Sequence, residues 1–301
     1  MLTIHKENYI YSFYKEHPIA EKVPSGTKMK FETYDCYKDQ IQSEATPYHS
    51  VDWNQINPAT GPIFVEGAEP GDVLKVTIHE INISDFGIMT TGKGMGAMGH
   101  RLDNHAIKKV NIKDDKVIFN DKVELPVQPM IGVIGVAPEK DAISCETPGE
   151  HGGNMDTKLI STGSTLYLPV FQPGALFALG DLHAAMGDGE VGISGVEVSG
   201  EVLVTLDVLK GKTIPYPIIE NKEGLAVIVS KPTLDEAAKV AVEIFADLLQ
   251  PLTDLSLYEL TMLFSAAGQV QVSQIVDPLM TVRFFIPKSI LNAYEINLFR
   301  E

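Results

Sequence analysis

Between about residue 40 and residue 210, the chain carries short runs of alternating apolar and polar residues, bounded by glycine or proline. Val73 to Ile81 is one such run, and it follows a Pro-Gly-Asp turn at 70–72. Alternation with a period of two is typical of a strand with one face on a core, and Pro and Gly favour the dihedral angles of turns. Helical spacing is almost absent here. The pattern therefore predicts a mainly β protein with a sandwich- or barrel-like body.

After about residue 210 the spacing of apolar residues becomes helical. Thr233 stands three residues before Glu236, and Ser256 three residues before Glu259, which is the arrangement of a helix capping box. Apolar runs typical of strands follow the second helix. We therefore predict a C-terminal α+β segment packed on one side of the β body. The predicted division is an N-terminal β-rich region at 1–140, a β-rich region carrying the active site at 141–215, and an α+β region at 216–301.

The charge of the chain excludes some classes of partner. Forty acidic and 24 basic residues give a formal net charge of -16. Most of this surface would repel a phosphate backbone, so we predict no nucleic-acid partner, whereas divalent cations and neutral small molecules are compatible with it. No apolar run reaches the roughly 18 residues of a membrane span, and none resembles a signal peptide. With only two cysteines, we expect reduced thiols, a cytoplasmic location and no membrane partner.

The stretch 178–190 concentrates ionisable side chains among glycines: Asp181, His183, Asp188 and Glu190. We predict that one strand ends at His183 and that a second begins at Glu190 and runs to about Leu209. Two residues apart in a strand, Asp181 and His183 then share a face. Across the intervening loop, His183 and Glu190 lie opposite each other with Cβ atoms about 5 Å apart.

An imidazole and two carboxylates at that separation predict a divalent-metal site. Nitrogen and oxygen ligands without thiolate suit zinc, manganese or iron, and zinc is our first choice. A second glycine-rich loop would complete the site with Asp156, because Gly152 and Gly153 allow its backbone to approach closely. In the same loop, Asn154 is a candidate substrate-binding residue. The predicted metal ligands are Asp156, Asp181, His183 and Glu190.

The position of Glu197 depends on the path of the chain after Glu190. In an unbroken strand, a residue seven positions further on faces the opposite side of the sheet. A bulge at Gly192 or Gly195 would turn Glu197 back toward the site. Both alternatives stay open, and the candidate catalytic residues are His183, Glu190 and Glu197.

Two more candidates for substrate binding have ordinary structural alternatives. Trp53 is the only tryptophan, and in such a Pro- and Gly-containing loop it usually covers the edge of a core. His105 follows the glycine-rich segment 91–100, which we interpret as a mobile loop over the site, although most loop histidines have no such role. Similarly, 187–189 could be a simple hairpin turn with His183 hydrogen-bonded at the core edge. The number of polar groups within ten residues favours the functional interpretation.

Four motifs together resemble the acetamidase/formamidase family: Asn57–Asp72, Pro129–Pro138, Gly152–Asp156 and Gly180–Glu190. The resemblance runs in order from about residue 55 to the C-terminus. It implies a β-rich fold, a homo-oligomer, and hydrolysis of short aliphatic amides to ammonia and a carboxylate. Met186 stands where the family often has Gln, which alters the expected pocket wall. The family's roles would fall on Asn154, Asp156, Asp181, His183, Glu190 and Glu197.

Three hypotheses follow. In the first, the chain is a metal-dependent amidase, in which a metal activates water and a carboxylate or histidine carries the proton to the leaving nitrogen. A serine nucleophile is unsupported, because no Gly-x-Ser-x-Gly motif is present. In the second, it is a non-catalytic β-rich protein that binds a metal or a small polar ligand. In the third, it hydrolyses another C–N bond.

Overall fold

The computed structural model describes residues 1–299, and most of its regular structure is β. The strands of the first half are β1 (Leu2–Ile4), β2 (Tyr9–Ile10), β3 (Ser12–Phe13), β4 (Glu21–Pro24), β5 (Thr27–Thr33), β6 (Ala59–Glu66), β7 (Val73–Ile83), β8 (Phe86–Thr91), β9 (Ala106–Lys113), β10 (Lys116–Asn120), β11 (Val123–Pro126) and β12 (Met130–Gly135). Those of the second half are β13 (Ile143–Ser144), β14 (Gly152–Asn154), β15 (Thr165–Pro169), β16 (Ala175–His183), β17 (Glu197–Val198), β18 (Gly200–Leu209), β19 (Ile218–Glu220), β20 (Gly224–Lys231), β21 (Gln269–Gln274) and β22 (Met280–Pro287).

The α-helices lie in the last third of the chain. The α-helices are α1 (Leu234–Leu249), α2 (Leu257–Ala267) and α3 (Lys288–Ala293), and short 3-10 helices occupy Tyr48–Ser50, Gly99–Arg101 and Gln250–Leu252. None of the helices within residues 1–299 has the length and apolar character needed to cross a membrane.

Nearly all strands belong to two large sheets. One sheet has the order β1-β5-β18-β7-β15-β19-β20-β22-β21. The other runs β11-β10-β9-β8-β17-β16-β12-β14, and β6 joins it by pairing with β16, β2 and β4. Strands β3 and β13 form a separate pair. Strands from all three predicted regions meet in the first sheet, and the division of the chain at 140 and 215 stays a prediction.

The two sheets pack against each other around the main core. Met29 and Phe31 of β5 and Val204 of β18 come from one sheet, and Ile63 of β6 and Phe177 of β16 come from the other; all are fully buried. The rings of Phe31 and Phe177 meet edge to face with centroids 5.7 Å apart. Burying such a side chain contributes roughly 1.5–3 kcal/mol. The predicted mainly β fold is confirmed.

The C-terminal segment packs its helices on the first sheet, as predicted. The apolar stripe of α1 contains Ala237, Ala241 and Phe245, which are buried. Phe245 contacts Phe284 of β22, with ring centroids 5.7 Å apart. At the start of α2, Ser256 and Glu259 form a reciprocal capping box. This α+β segment also supplies β19 to β22 of the first sheet, so helices and sheet share one core.

The predicted strand from Glu190 to Leu209 is wrong. Residues 191–193 form a turn, and β17 has only two residues before the chain passes to β18 in the other sheet. Gly192 and Gly195 loosen this segment, and Ile193 takes a φ of 81°, which an extended strand cannot contain. As a result, β17 pairs with β16, and the residue directly opposite His183 is Glu197 rather than Glu190.

Candidate active site

The site is built at the end of β16, a strand that is buried along its whole length. Asp181 and His183 do converge, since Asp181 Oδ2 lies 3.5 Å from His183 Nε2. Glu197, on the neighbouring β17, brings its Oε2 to within 3.0 Å of the same nitrogen. Asp156 and Glu190 approach it from two loops, at 3.8 and 3.9 Å. Four carboxylates therefore surround one imidazole nitrogen.

Two glycines allow this convergence. A Cβ at Gly132 of β12 would lie 2.4 Å from Asp181 Oδ2 and 2.5 Å from Asp156 Oδ1. A Cβ at Gly195 would lie 2.6 Å from His183 Nδ1. All three contacts are closer than real Cβ atoms come to their neighbours, so any other residue at these two positions would displace the cluster.

The backbone of the cluster is strained. Asp156, Asp181 and Glu190 have φ values of 40°, 56° and 45°, in the left-handed region. Asp tolerates this conformation better than Glu does, and each such residue costs on the order of 1–3 kcal/mol unless local contacts compensate. Residues in this left-handed conformation concentrate at functional sites. Three of the four predicted metal ligands adopt it here.

The electrostatic environment favours a bound cation. Burial, followed by the charge of Asp181, raises the pKa of Asp156 to about 6. Burial also raises the pKa of Glu197 to about 8 and that of Glu190 well above its usual value. For His183, burial favours the neutral ring, but the carboxylates of Glu197 and Asp181 raise its pKa well above the usual value. Without a cation, the ionised forms of these carboxylates are therefore poorly compensated.

Several polar atoms at the site lack hydrogen-bond partners within residues 1–299. They are Asn154 Oδ1, Asp156 Oδ1, Asp181 Oδ1, Glu197 Oε2, Asp277 Oδ2 and His183 Nδ1. Buried polar groups without partners are costly, and in a native site they indicate a ligand or an ion. Asp156, His183 and Glu190 each offer a ligand atom within 4.8 Å of the others, which suits a metal ion. The donor set, the orphaned oxygens and the poorly compensated carboxylates all fit a divalent cation.

Cys36 belongs to a second group of potential ligand atoms, with Asp181 and Glu197. Burial and the neighbouring carboxylate of Glu197 raise the pKa of the Cys36 thiol well above its usual value. The thiol donates to Asn57 Oδ1 at 2.9 Å. Metals and acyl groups react with the thiolate, so this neutral thiol is a poorer candidate than the nitrogen- and oxygen-bearing group.

A cavity of about 280 Å³ opens onto the cluster. Asn154 and Trp53, two predicted substrate-binding residues, line it, and so does Met95 from the glycine-rich segment 91–100. The mobility of that segment stays a prediction. His105 is not brought to the cavity. Its exposed ring stacks on Tyr48 with centroids 3.9 Å apart, and Tyr48 lies between it and Trp53.

The structure separates Asp188 from the site and adds Asp277 to it. Asp188 points away from the cluster and forms a bidentate ion pair with Arg283 Nη2, at 2.9 and 3.0 Å. Asp277, which we did not predict as a site residue, lines the cavity. Burial and the nearby Asp156 raise its pKa well above the usual value. The only sequence signal was its position in a stretch, 274–277, that also resembles the family.

Comparison with known proteins agrees with the geometry. Residues 3–145 and 140–293 match the sequence profile of the Acetamidase/Formamidase family. The chain belongs to this family. The resemblance found in the sequence is therefore confirmed.

Two solved structures and one curated relative show how far the likeness extends. A predicted acetamidase/formamidase from Thermoanaerobacter tengcongensis is 51% identical, with a TM-score of 0.96 and 98% of each chain covered. An acetamidase from Bacillus halodurans is 44% identical, also with a TM-score of 0.96, over 98% of this chain and 100% of that one. A putative formamidase from Schizosaccharomyces pombe is 29% identical over 260 residues, covering 64% of this chain and 62% of that one. The chain thus spans less than two thirds of that relative's length.

In this family member, Gln274 fixes the loop that carries Asp277. Its Oε1 accepts hydrogen bonds from the backbone N–H groups of Val276 and Asp277, at 2.8 and 3.0 Å. Its Nε2 donates to Leu279 O and Thr281 Oγ1. The side chain is fully buried, so these bonds cannot be replaced by water.

We expect Gln274→Ala to lower the unfolding free energy by about 1–3 kcal/mol, because it leaves several buried groups unpaired. If Asp277 must be held at the cavity, kcat/KM should also fall, by about tenfold. Urea unfolding and steady-state kinetics measure the two effects. Gln269→Ala, at an exposed position of the same strand, is the matched control. Equal stability of the two variants would contradict a positioning role for Gln274.

His151 predicts a specific pH dependence of stability. Its ring is buried against Phe13, and burial lowers its pKa to about 4, whereas the pKa in the unfolded chain is about 6.5. Between these values the unfolded chain binds a proton that the folded chain does not. Stability from the neutral ring is therefore present above about pH 6.5 and is lost as the pH falls to about 4, by roughly 3 kcal/mol.

His151→Gln should remove most of this loss. The measurement is the difference in unfolding free energy between pH 7.5 and pH 4.5, compared with wild type, since other groups titrate in both proteins. His49→Gln, at an exposed histidine, serves as the control. A pH dependence unchanged by His151→Gln would show that the ring is not kept neutral by folding.

Proposed function

We propose that this chain is a divalent-metal-dependent amidohydrolase that converts short aliphatic amides, such as formamide and acetamide, to ammonia and a carboxylate. The observation that carries the proposal is the buried cluster in which four carboxylates lie within 4 Å of His183 Nε2. The names of the relatives, acetamidase and formamidase, support the substrate class. Homo-oligomerisation and a cytoplasmic location stay predictions.

Asp156, His183 and Glu190 would hold the cation, with Asp181 as a fourth ligand. Zinc is the first choice, because it favours imidazole and carboxylate ligands at low coordination number. When bound, a divalent cation lowers the pKa of a water molecule toward about 7 and polarises a carbonyl oxygen.

Glu197 is the proposed proton carrier. Its Oε2 is the carboxylate oxygen nearest to His183 Nε2, at 3.0 Å, but it makes no hydrogen bond of good geometry within residues 1–299. Glu197 belongs to the potential ligand group with Cys36 and Asp181 rather than to the group formed by Asp156, His183 and Glu190. A carboxylate in this place can accept the proton of the attacking water and pass it to the leaving nitrogen. Burial raises the pKa of Glu197. A cation bound beside it would lower this pKa again, toward the range in which a carboxyl group can both accept and release a proton near neutral pH.

Asn154 is proposed to orient the substrate. Its Oδ1 is buried, without a partner within residues 1–299, and the residue lines the cavity. An amide oxygen in this place can accept a hydrogen bond from the –NH2 group of a primary amide. Cys36 is not the nucleophile in this scheme, because its half-buried thiol has a raised pKa and donates a hydrogen bond to Asn57.

The test is ammonia release from formamide and acetamide by purified, zinc-loaded protein. The proposal expects turnover that Asn154→Ala weakens mainly through KM. Metal binding without turnover of any amide, lactam or carbamate would favour a non-catalytic binding protein. Turnover limited to lactams or carbamates would favour a hydrolase of another C–N bond.

A further inference from the structure

The cavity is larger than the amides named above require. Formamide has three non-hydrogen atoms and acetamide four, and a water molecule occupies about 30 Å³ of liquid. Acetamide and one attacking water molecule together therefore need on the order of 150 Å³, about half of the 280 Å³ available. The remaining space lies within the same cavity as the carboxylate cluster.

The extra space has an apolar lining. Carboxylates and Asn154 form one side of the cavity, and much of the rest consists of apolar and aromatic side chains: Tyr37, Trp53, Ile56, Met95, Ile193 and Pro278. Formamide has no apolar group to place against such a wall, and acetamide has one methyl. Contact with this lining would stabilise a longer apolar acyl group, because burial removes its surface from water.

The apolar lining is held in place by the protein itself. Trp53 Nε1 donates to Tyr48 O at 3.2 Å, and the Trp53 ring contacts the rings of Tyr37 and Tyr48. The hydroxyl of Tyr37 is hydrogen-bonded to Thr90 Oγ1 at 2.8 Å, and Tyr48 donates to the sulfur of Met95 at 3.3 Å. A preformed wall does not have to be ordered when the ligand binds, which favours affinity.

We propose that the preferred substrates of this site are primary amides with an apolar acyl group of about four to six carbons. This inference rests on the proposed function and specifies its substrate class. The carboxamide group faces Asn154 and the carboxylate cluster, and the alkyl or aryl group lies against Trp53 and Ile56.

The test is the dependence of kcat/KM on acyl length, from acetamide through butanamide and hexanamide to decanamide. Each added methylene that enters the apolar space is expected to raise kcat/KM about threefold to fourfold, from about 0.8 kcal/mol per buried CH2. Hexanamide should exceed acetamide by about a hundredfold, and the gain should stop beyond about six carbons, when the cavity is full. A flat or falling series, with acetamide turned over, would overturn this inference and leave the proposed function intact. Absence of turnover for every amide would reject both.

A substitution in the apolar lining of the cavity is a second test of the proposed substrate preference. Ile56→Trp fills the apolar space and should lower the hexanamide-to-acetamide ratio of kcat/KM by at least about tenfold. Ile19→Trp, at an exposed isoleucine outside the cavity lining, should leave the ratio unchanged.

Because Trp53 is the only tryptophan of the wild-type chain, its fluorescence reports ligand binding directly. Hexanamide should change the emission saturably and at lower concentration than acetamide, and equal concentrations would count against the inference.

Discussion

His183→Ala is expected to lower kcat/KM for amide hydrolysis by at least about a thousandfold. The imidazole is the proposed nitrogen ligand in a cluster of carboxylates, and its Nε2 lies within 4 Å of four of them. Loss of an activated water and of carbonyl polarisation costs several kcal/mol in the transition state, and each 1.4 kcal/mol is tenfold in rate. Ammonia release under zinc-saturating conditions measures the effect.

Two further variants separate chemistry from folding. His183→Gln keeps a polar side chain of similar size that can still donate hydrogen bonds to the buried carboxylates, so it should fold even where alanine does not. His79→Ala removes a histidine of β7, in the other sheet, whose ring is hydrogen-bonded to Thr205 Oγ1 at 2.7 Å, and it should retain activity. Activity of folded His183→Gln within tenfold of wild type would contradict a central role for His183.

Gly132→Ala is expected to damage the site although it adds one methyl group and no charge. The new Cβ would lie 2.4 and 2.5 Å from carboxylate oxygens of Asp181 and Asp156, and both oxygens belong to predicted metal ligands. Because a displacement of about 1 Å can cost a hundredfold, kcat/KM should fall by at least that factor. Overpacking should also lower the unfolding free energy by about 1–3 kcal/mol.

The matched control is Gly187→Ala, since an added Cβ there meets nothing within 4 Å. It should leave stability and kinetics within about 0.5 kcal/mol and twofold of wild type. Metal content of both variants is measured together with activity, because displaced ligands should also weaken metal binding. Wild-type activity and metal content in Gly132→Ala would show that the two carboxylates tolerate displacement.

Local patterns in the sequence were enough to predict the elements of the fold. Alternation in Val73–Ile81 corresponds to β7, and the capping box at Ser256 begins α2. Asp181 and His183 lie at the same site because residues two positions apart in one strand point to the same face of the sheet. These features depend on neighbouring residues, which is why they can be inferred without knowing which strands pair.

Long-range pairing explains what the sequence did not reveal. Glu197 reaches the site because it pairs with His183 between β17 and β16. A turn at 191–193 interrupts the strand that we predicted from Glu190 to Leu209. Asp277 comes from a loop after β21, in the other sheet, and its place depends on Gln274. His105 lies near the cavity but is separated from it by Tyr48. Each outcome depends on contacts between distant segments, which local periodicity does not specify.

The central claim is that the carboxylate–histidine cluster holds a divalent cation needed for amide hydrolysis. Elemental analysis of the purified protein, before and after removal of metal with a strong chelator, tests it most directly. We predict about one divalent ion per chain. Its removal should abolish ammonia release, zinc should restore it, and His183→Gln should fail to retain the ion. Full amide turnover by thoroughly metal-free protein would contradict the account.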